Sequence, residues 1–193
     1  MEHSVLHNVR IKYFKDGKDI IFNHLHTDQY AMFLYLLCNT IFRKEGDLVL
    51  ATKIYALNKA MHAIDVHYHV LLPDVFLFSH PVGTVLGPAK YSNYFAVHQN
   101  CTVGMTLSDG YPTLGEGVVL YSGSAVLGNC RVGNNCWIAN GVRVVNKDVP
   151  DNVVVFGKPP MGLIIRRTHK NVISDFFEDE PSPIGISTVD VTS

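Results

Sequence analysis

Cysteine pairing, charge of one sign and long hydrophobic runs are all missing from this chain, and each absence removes a class of protein. The 193 residues include four cysteines, Cys38, Cys101, Cys130 and Cys136, with no Cys-x-x-Cys spacing. That argues against a disulfide framework and for reduced, mostly buried thiols. Lys and Arg number 16 against 17 Asp and Glu, a formal net charge of -1, so no global field selects nucleic acid or an anionic membrane. The longest apolar stretch, Ala31 to Phe42, contains Asn39 and Thr40 and is too short to span a bilayer. No apolar segment of the signal-peptide kind stands at the N-terminus. A soluble, cytoplasmic protein with no membrane or nucleic-acid partner is expected.

What is present is a period of six. With 47% apolar residues the chain can build one sizeable core. From Leu114 it falls into the hexads LGEGVV, LYSGSA, VLGNCR, VGNNCW, IANGVR and VVNKDV. The first position reads Leu114, Leu120, Val126, Val132, Ile138 and Val144, and the fifth is mostly small. Neither the 3.6 period of a helix nor the 2.0 period of a strand gives this pattern. A β-solenoid does, with three short strands per coil of eighteen residues, aliphatic side chains inward on each face and small residues at the corners. Run backwards, the clock passes Val103, Val97 and Tyr91, slips one residue near Lys90, and resumes at Thr84, Phe78, Leu72 and Val66. The solenoid is thus expected from about Val66 to Val155. Between Val103 and Leu114 five residues too many intervene, so Met105 to Thr113 leave as a loop turning at Asp109-Gly110.

Two helices are expected ahead of the solenoid. The first runs from Asp28 to Arg43 behind Thr27 as its cap, with an acid in its first turn. The second follows Gly46-Asp47 and carries Leu50, Ile54, Leu57 and Met61 on one apolar face. They would cover the open end of the solenoid or make subunit contacts. The chain divides into a helical region at 1–64, the solenoid at 65–157 and a C-terminal segment at 158–193. From Asp175 that segment carries five acids and no Lys or Arg, the composition of a disordered, solvating tail.

Residues at one hexad position recur on the same face every third hexad. Counted through the slip and the loop, His80, Gln99, Ser122, Asn140 and Lys158 form one column. At about 4.8 Å per rung, His80 and Lys158 would stand roughly 19 Å apart. A histidine at one end and Lys158 with Arg166, Arg167 or Lys170 at the other suit a long ligand with a reactive head and an anionic tail. Coenzyme A is such a ligand, its phosphates meeting the basic residues and its pantetheine arm the amides of the small-residue hexads, near Ser122, Asn140 and Gly141. Polar corner residues alone would give the same column in any solenoid.

The hexads, Ser79-His80-Pro81-Val82-Gly83, the extruded loop and the closing Val155-Phe156-Gly157-Lys158-Pro159-Pro160 resemble the serine acetyltransferases, acyltransferases of the left-handed β-helix, hexapeptide-repeat class. The resemblance covers roughly residues 35 to 165. It implies a mainly β fold, a left-handed parallel β-helix of about five 18-residue coils behind a short α-helical region; the left hand comes from the family alone, since parallel crossovers are usually right-handed. In the family a catalytic Asp, in an Asp-Ile/Val-His segment, precedes the catalytic His by fifteen residues. Asp65-Val66-His67 and His80 repeat both type and spacing. The resemblance therefore implies acetyl-CoA as co-substrate with no metal, His80 as the general base and Asp65 holding its imidazole. It places Gly104, Met105, Ser122, Asn140, Gly141, Lys158 and Arg166 along the co-substrate. It also implies homotrimers with active sites between subunits, and the short helical region leaves a dimer of trimers open.

Two departures bear on the acceptor. Ser79 stands where the family has an acid that helps bind the amino group of serine, and the loop's Arg-His-Pro is here Gly110-Tyr111-Pro112. Losing that arginine removes a bidentate grip on a carboxylate. With Ser79, Gly110 and Tyr111 lining the acceptor, a sugar or nucleotide sugar of surface-glycan biosynthesis, acetylated on oxygen or nitrogen, becomes the expected substrate. A true serine O-acetyltransferase of cysteine biosynthesis with a rebuilt pocket is one alternative, and a non-catalytic trimeric scaffold another. The chain ends in Val-Asp-Val-Thr-Ser rather than the isoleucine by which family members dock into cysteine synthase, so that complex is not expected. His98 is expected to project outward. His62, His67 and His69 gather near the first coil without the spacing of the zinc-binding hexapeptide carbonic anhydrases.

Overall fold

The computed structural model describes residues 22–107, 110–157 and 162–177, and the backbone of a two-stranded antiparallel ladder at Lys15–Asp16 and Asp19–Ile20. Helix α1 (Thr27–Lys44) is capped one residue earlier than expected. His26 is extended, and its Nδ1 accepts from the Gln29 N–H at 3.5 Å. Helix α2 (Leu48–His62) begins as its sequence indicates, with the Asp47 carboxylate accepting from the Leu50 N–H at 2.9 Å. The face of α2 that packs within the chain overlaps the apolar stripe only at half-buried Ile54. Ala51, Asn58 and His62 are buried, whereas Leu50, Leu57 and Met61 are exposed. A polar seam selects this face: Asn58 donates to the Ala31 carbonyl at 3.0 Å and lies 2.8 Å from His62 Nδ1.

Beyond α2 the chain winds into three parallel sheets. One contains Phe76–Phe78, Phe95–Val97, Val118–Leu120, Cys136–Ile138 and Val153–Phe156, closed by the antiparallel strand Ile164–Arg167. The second contains Asp65–Val66, Val85–Leu86, Thr102–Gly104, Ala125–Leu127 and Arg143–Val145, and the third Lys90–Tyr91, Thr113–Leu114 and Arg131–Val132. Together they make a left-handed parallel β-helix of about five coils, the fold the resemblance implied. Leu114, Leu120, Val126, Val132, Ile138 and Val144 all point inward with no exposed surface. Each such side chain contributes about 1.5–3 kcal/mol of burial. Val97 stands beside Leu120 and Val103 beside Val126, so the five extra residues are extruded between Gly104 and Thr113.

The clock is corrected in two places. Leu86, not Thr84, faces inward beside Val103. The corner before it is two residues longer than a hexad allows and the next is one shorter. Thr84 makes the long corner possible: its hydroxyl donates to the His98 carbonyl at 2.6 Å and accepts from the Cys101 N–H at 3.2 Å, supplying partners the backbone ladder does not. One residue also drops out before Val149, which bridges to Val132, so Val155 stands beside Ile138. The four cysteines are free and buried, and burial raises every one of their thiol pKa values.

The C-terminal segment is ordered further than its composition suggests. Val172, Phe176 and Phe177 are buried, with Phe176 in the short helix α3 (Ile173–Phe176). Phe176 meets the rings of His98, Tyr121 and Trp137 edge-on, with centroids 5.9, 6.4 and 6.2 Å away. Asp175, counted with the tail by composition, pairs with Lys170 at 2.8 Å. The acids beyond it lie outside the described residues. No helix among the described residues is long and apolar enough to cross a membrane.

Candidate active site

His80 follows the strand Phe76–Phe78 at a corner of the prism. Its backbone is left-handed, φ 50°, and its side chain is 65% exposed. The left-handed turn throws the imidazole off the sheet instead of into the core.

The carboxylate beside it comes from α1. Asp28 Oδ2 accepts the His80 backbone N–H at 3.0 Å and stands 3.6 Å from its Nδ1. That carboxylate is only 5% exposed. Asp65, the acid expected there from the fifteen-residue spacing, is engaged elsewhere. It accepts from the Tyr55 hydroxyl at 2.6 Å and from Lys59 Nζ at 2.5 Å. Burial pushes the Asp65 carboxyl up, but Lys59 and Tyr55 outweigh it and hold the group below the usual carboxylate range. Helix α2 delivers both donors to the strand carrying Asp65. Asp28 was legible only as an acid suited to a helix N-terminus.

His98, one coil below, does not project outward as expected. Its ring lies 4.5 Å from that of Tyr121, which in turn stacks on Trp137 at 4.7 Å. His98 Nε2 is buried and has no hydrogen-bond partner among the described residues. Burial and the neighbouring His80 lower its pKa, against an opposing pull from Asp28. The unfolded chain protonates His98 near 6.5 and the folded chain resists it, so stability is lost as pH falls below that value and through the folded one. His98→Leu is expected to flatten this decline, seen as a smaller drop in the urea midpoint between about pH 7.5 and about pH 5.5 than the parent shows. An identical drop would mean that His98 is not the group responsible.

The strand registers carry the expected column through His80, Gln99, Ser122 and Asn140. Asn140 Nδ2 donates to Ser122 Oγ at 3.0 Å, and Gly141, at φ 69°, leaves open space beside them. The residue lost before Val149 brings the column to Gly157 instead of Lys158, and Lys158 lies outside the described residues. Arg166 and Arg167 are exposed opposite Val154 and Val153. Lys170 is tied to Asp175 and lies over the Trp137 ring.

The remaining expected residues separate. Ser79 is 2% exposed, and its backbone N–H donates to Val97, so it does not line the surface on which an acceptor would sit. Gly104 and half-exposed Met105 end a strand of the second sheet, at a different corner from the His80 column. Gly110 and exposed Tyr111 belong to that same second corner. At Gly110, φ 123°, a Cβ would stand 2.6 Å from the Asn129 Cβ, so no side chain fits where the family carries arginine. His67 and His69 stack at 4.8 Å with their Nδ1 atoms 2.9 Å apart. No group of three metal-ligating side chains that could hold an ion is found among the described residues.

No family model matches the chain. It is 33% identical to the serine acetyltransferase of Synechococcus elongatus over 116 residues, 58% of this chain and 46% of that protein. It is 29% identical to serine acetyltransferase 2 of Arabidopsis thaliana over 168 residues, 82% of this chain and 51% of that one. The crystal structure of serine acetyltransferase from Brucella abortus superposes with a TM-score of 0.65 at 28% identity, covering 74% of this chain and 57% of that one. The chain thus spans about half the length of the curated relatives it matches. In sequence and in fold the chain is similar to the serine acetyltransferases.

Proposed function

We propose that the protein is an acetyl-CoA-dependent O-acetyltransferase of the serine acetyltransferase type, with His80 as general base. The observation that carries this reading is the exposed, left-handed His80 beside a buried carboxylate, at the head of a polar column in a chain related to those enzymes. His80 takes the proton of the acceptor hydroxyl as that oxygen attacks the thioester carbonyl, and returns it to the departing thiolate. Gln99, Ser122, Asn140 and Gly141 offer polar groups along the edge where the pantetheine arm lies, and Arg166 the charge for its phosphates.

The protein acts as a homotrimer in this proposal. Gly104, Met105, Gly110 and Tyr111 sit on a different corner of the prism from His80, so a neighbouring copy is needed to bring that corner to the His80 column. The buried, free cysteines accord with a reducing, cytoplasmic setting. The relatives favour the hydroxyl of serine, or of a similar small amino alcohol, over the nucleotide sugar that the changes at Ser79 and Gly110 suggested.

Coenzyme A release with L-serine, beside a panel of amino and neutral nucleotide sugars, tests the acceptor. Serine is expected to exceed the best sugar by at least about tenfold in kcat/KM. Turnover of a sugar without turnover of serine overturns the acceptor. No binding of acetyl-CoA at millimolar concentration overturns the enzyme and leaves a scaffold.

A further inference from the structure

We propose that Asp28, carried by α1 and not by the solenoid, is the positioning acid of His80, which makes the N-terminal helices part of the catalytic unit. This rests on the reading of His80 as the base.

Asp28 Oδ2 accepts the backbone N–H that the left-handed turn at His80 presents, at 3.0 Å. The same oxygen stands 3.6 Å from Nδ1. That separation is longer than a hydrogen bond, and such contacts shorten when substrate binds and the ring gains charge. A carboxylate 5% exposed is costly to bury without compensation. Here it sits in the first turn of a helix, where the macrodipole favours a negative charge, and it receives the His80 N–H. Three imidazoles surround it. His62 of α2 and His98 of the next coil both feel its charge, and burial drives both toward the neutral form. His80 is the exposed member of the three, and the one whose protonated form Asp28 can stabilise as the acceptor proton arrives. Asp28 then fixes the tautomer with the proton on Nδ1 and leaves Nε2 as the basic nitrogen. The carboxylate also reaches a pocket of about 230 Å3 that it shares with Met61, His62 and Val82. Asp65 instead accepts from Tyr55 on one oxygen and from Lys59 on the other, and the carboxylate found against the His80 ring is that of Asp28.

Asp28→Asn and Asp65→Asn in the full chain separate the two acids. Asp28→Asn is expected to lower kcat about 10²-fold with the KM for acetyl-CoA within about twofold, and to be partly rescued by Asp28→Glu. Asp65→Asn is expected to leave kcat within about threefold. The 15N shifts of the His80 ring give a readout that needs no turnover. They should report the Nδ1–H tautomer in the parent and move toward Nε2–H in Asp28→Asn. A collapse of kcat in Asp65→Asn with Asp28→Asn near the parent overturns the proposal, as do His80 ring shifts unchanged in Asp28→Asn. Should Asp28→Asn not fold, the parent's own ring decides: an Nε2–H tautomer in the parent overturns the proposal. A parent that acetylates no acceptor sinks the proposed function, and the ring shifts still decide Asp28.

Discussion

His80→Ala is expected to lower kcat/KM by about 10²- to 10⁴-fold, the usual contribution of a positioned general base. The solenoid should survive, because the His80 side chain is largely exposed and packs in no core. The position is left-handed, however, and alanine there carries a conformational cost of roughly 1 kcal/mol that asparagine largely avoids. His80→Asn is therefore the cleaner variant. It should retain the parent's urea midpoint and its acetyl-CoA affinity, read by calorimetry, and lose the same activity as His80→Ala. An asparagine variant with most of its activity intact would show that His80 shapes the turn and is not the base.

Phe78→Ala should cost about 3–5 kcal/mol of stability, the range for emptying a buried aromatic site. Phe78 has no exposed surface, and its ring lies 5.1 Å from Phe76 and 6.3 Å from Tyr35 of α1. Tyr35 in turn pins α1 to the first coil: its hydroxyl donates to the Val70 carbonyl at 2.7 Å and accepts from the Leu72 N–H at 3.0 Å. Burial pushes that hydroxyl's pKa up to about 12, so it remains a donor across the working range. A cavity at Phe78 opens the seam that holds α1, and so Asp28, against His80. Activity should accordingly fail at urea concentrations below the unfolding transition. Phe156→Ala, at a side chain 40% exposed, is the comparison and should change stability by no more than about 0.5 kcal/mol. Equal losses in the two variants would contradict the packing described.

The solenoid was legible because its period is a direct image of its geometry. Each inward position from Leu114 to Val144 repeats at the interval that carries the chain from one face of the prism to the next. Where the period slips, a side chain compensates, and Thr84 does so with a hydroxyl that no hexad count weighs. The α2 stripe is only partly used within the chain: Ile54 packs, and Leu50, Leu57 and Met61 stay exposed. Apolar spacing identifies a face able to bury, but the Asn58 contacts with α1 decide which face does so in this chain. The pairing of Asp65 with His80 rested on fifteen residues of sequence, whereas the observed pairing of Asp28 with His80 spans fifty-two and depends on how α1 docks. A contact so distant along the chain leaves no local mark, and the acid in a helix's first turn had a sufficient explanation of its own.

All the irregularities of the coil fall at corners: two residues added between Phe78 and Leu86, one removed before Tyr91, five extruded after Gly104, one removed before Val149. None falls within a strand. Length can thus be gained or lost at a corner while the rungs on either side keep their pairing, and the residues ahead of His80 stay where they are. For the lineage this separates two kinds of change. The loop after Gly104 is free to change in length and sequence, and the edge from His80 to Asn140 need not be rebuilt each time.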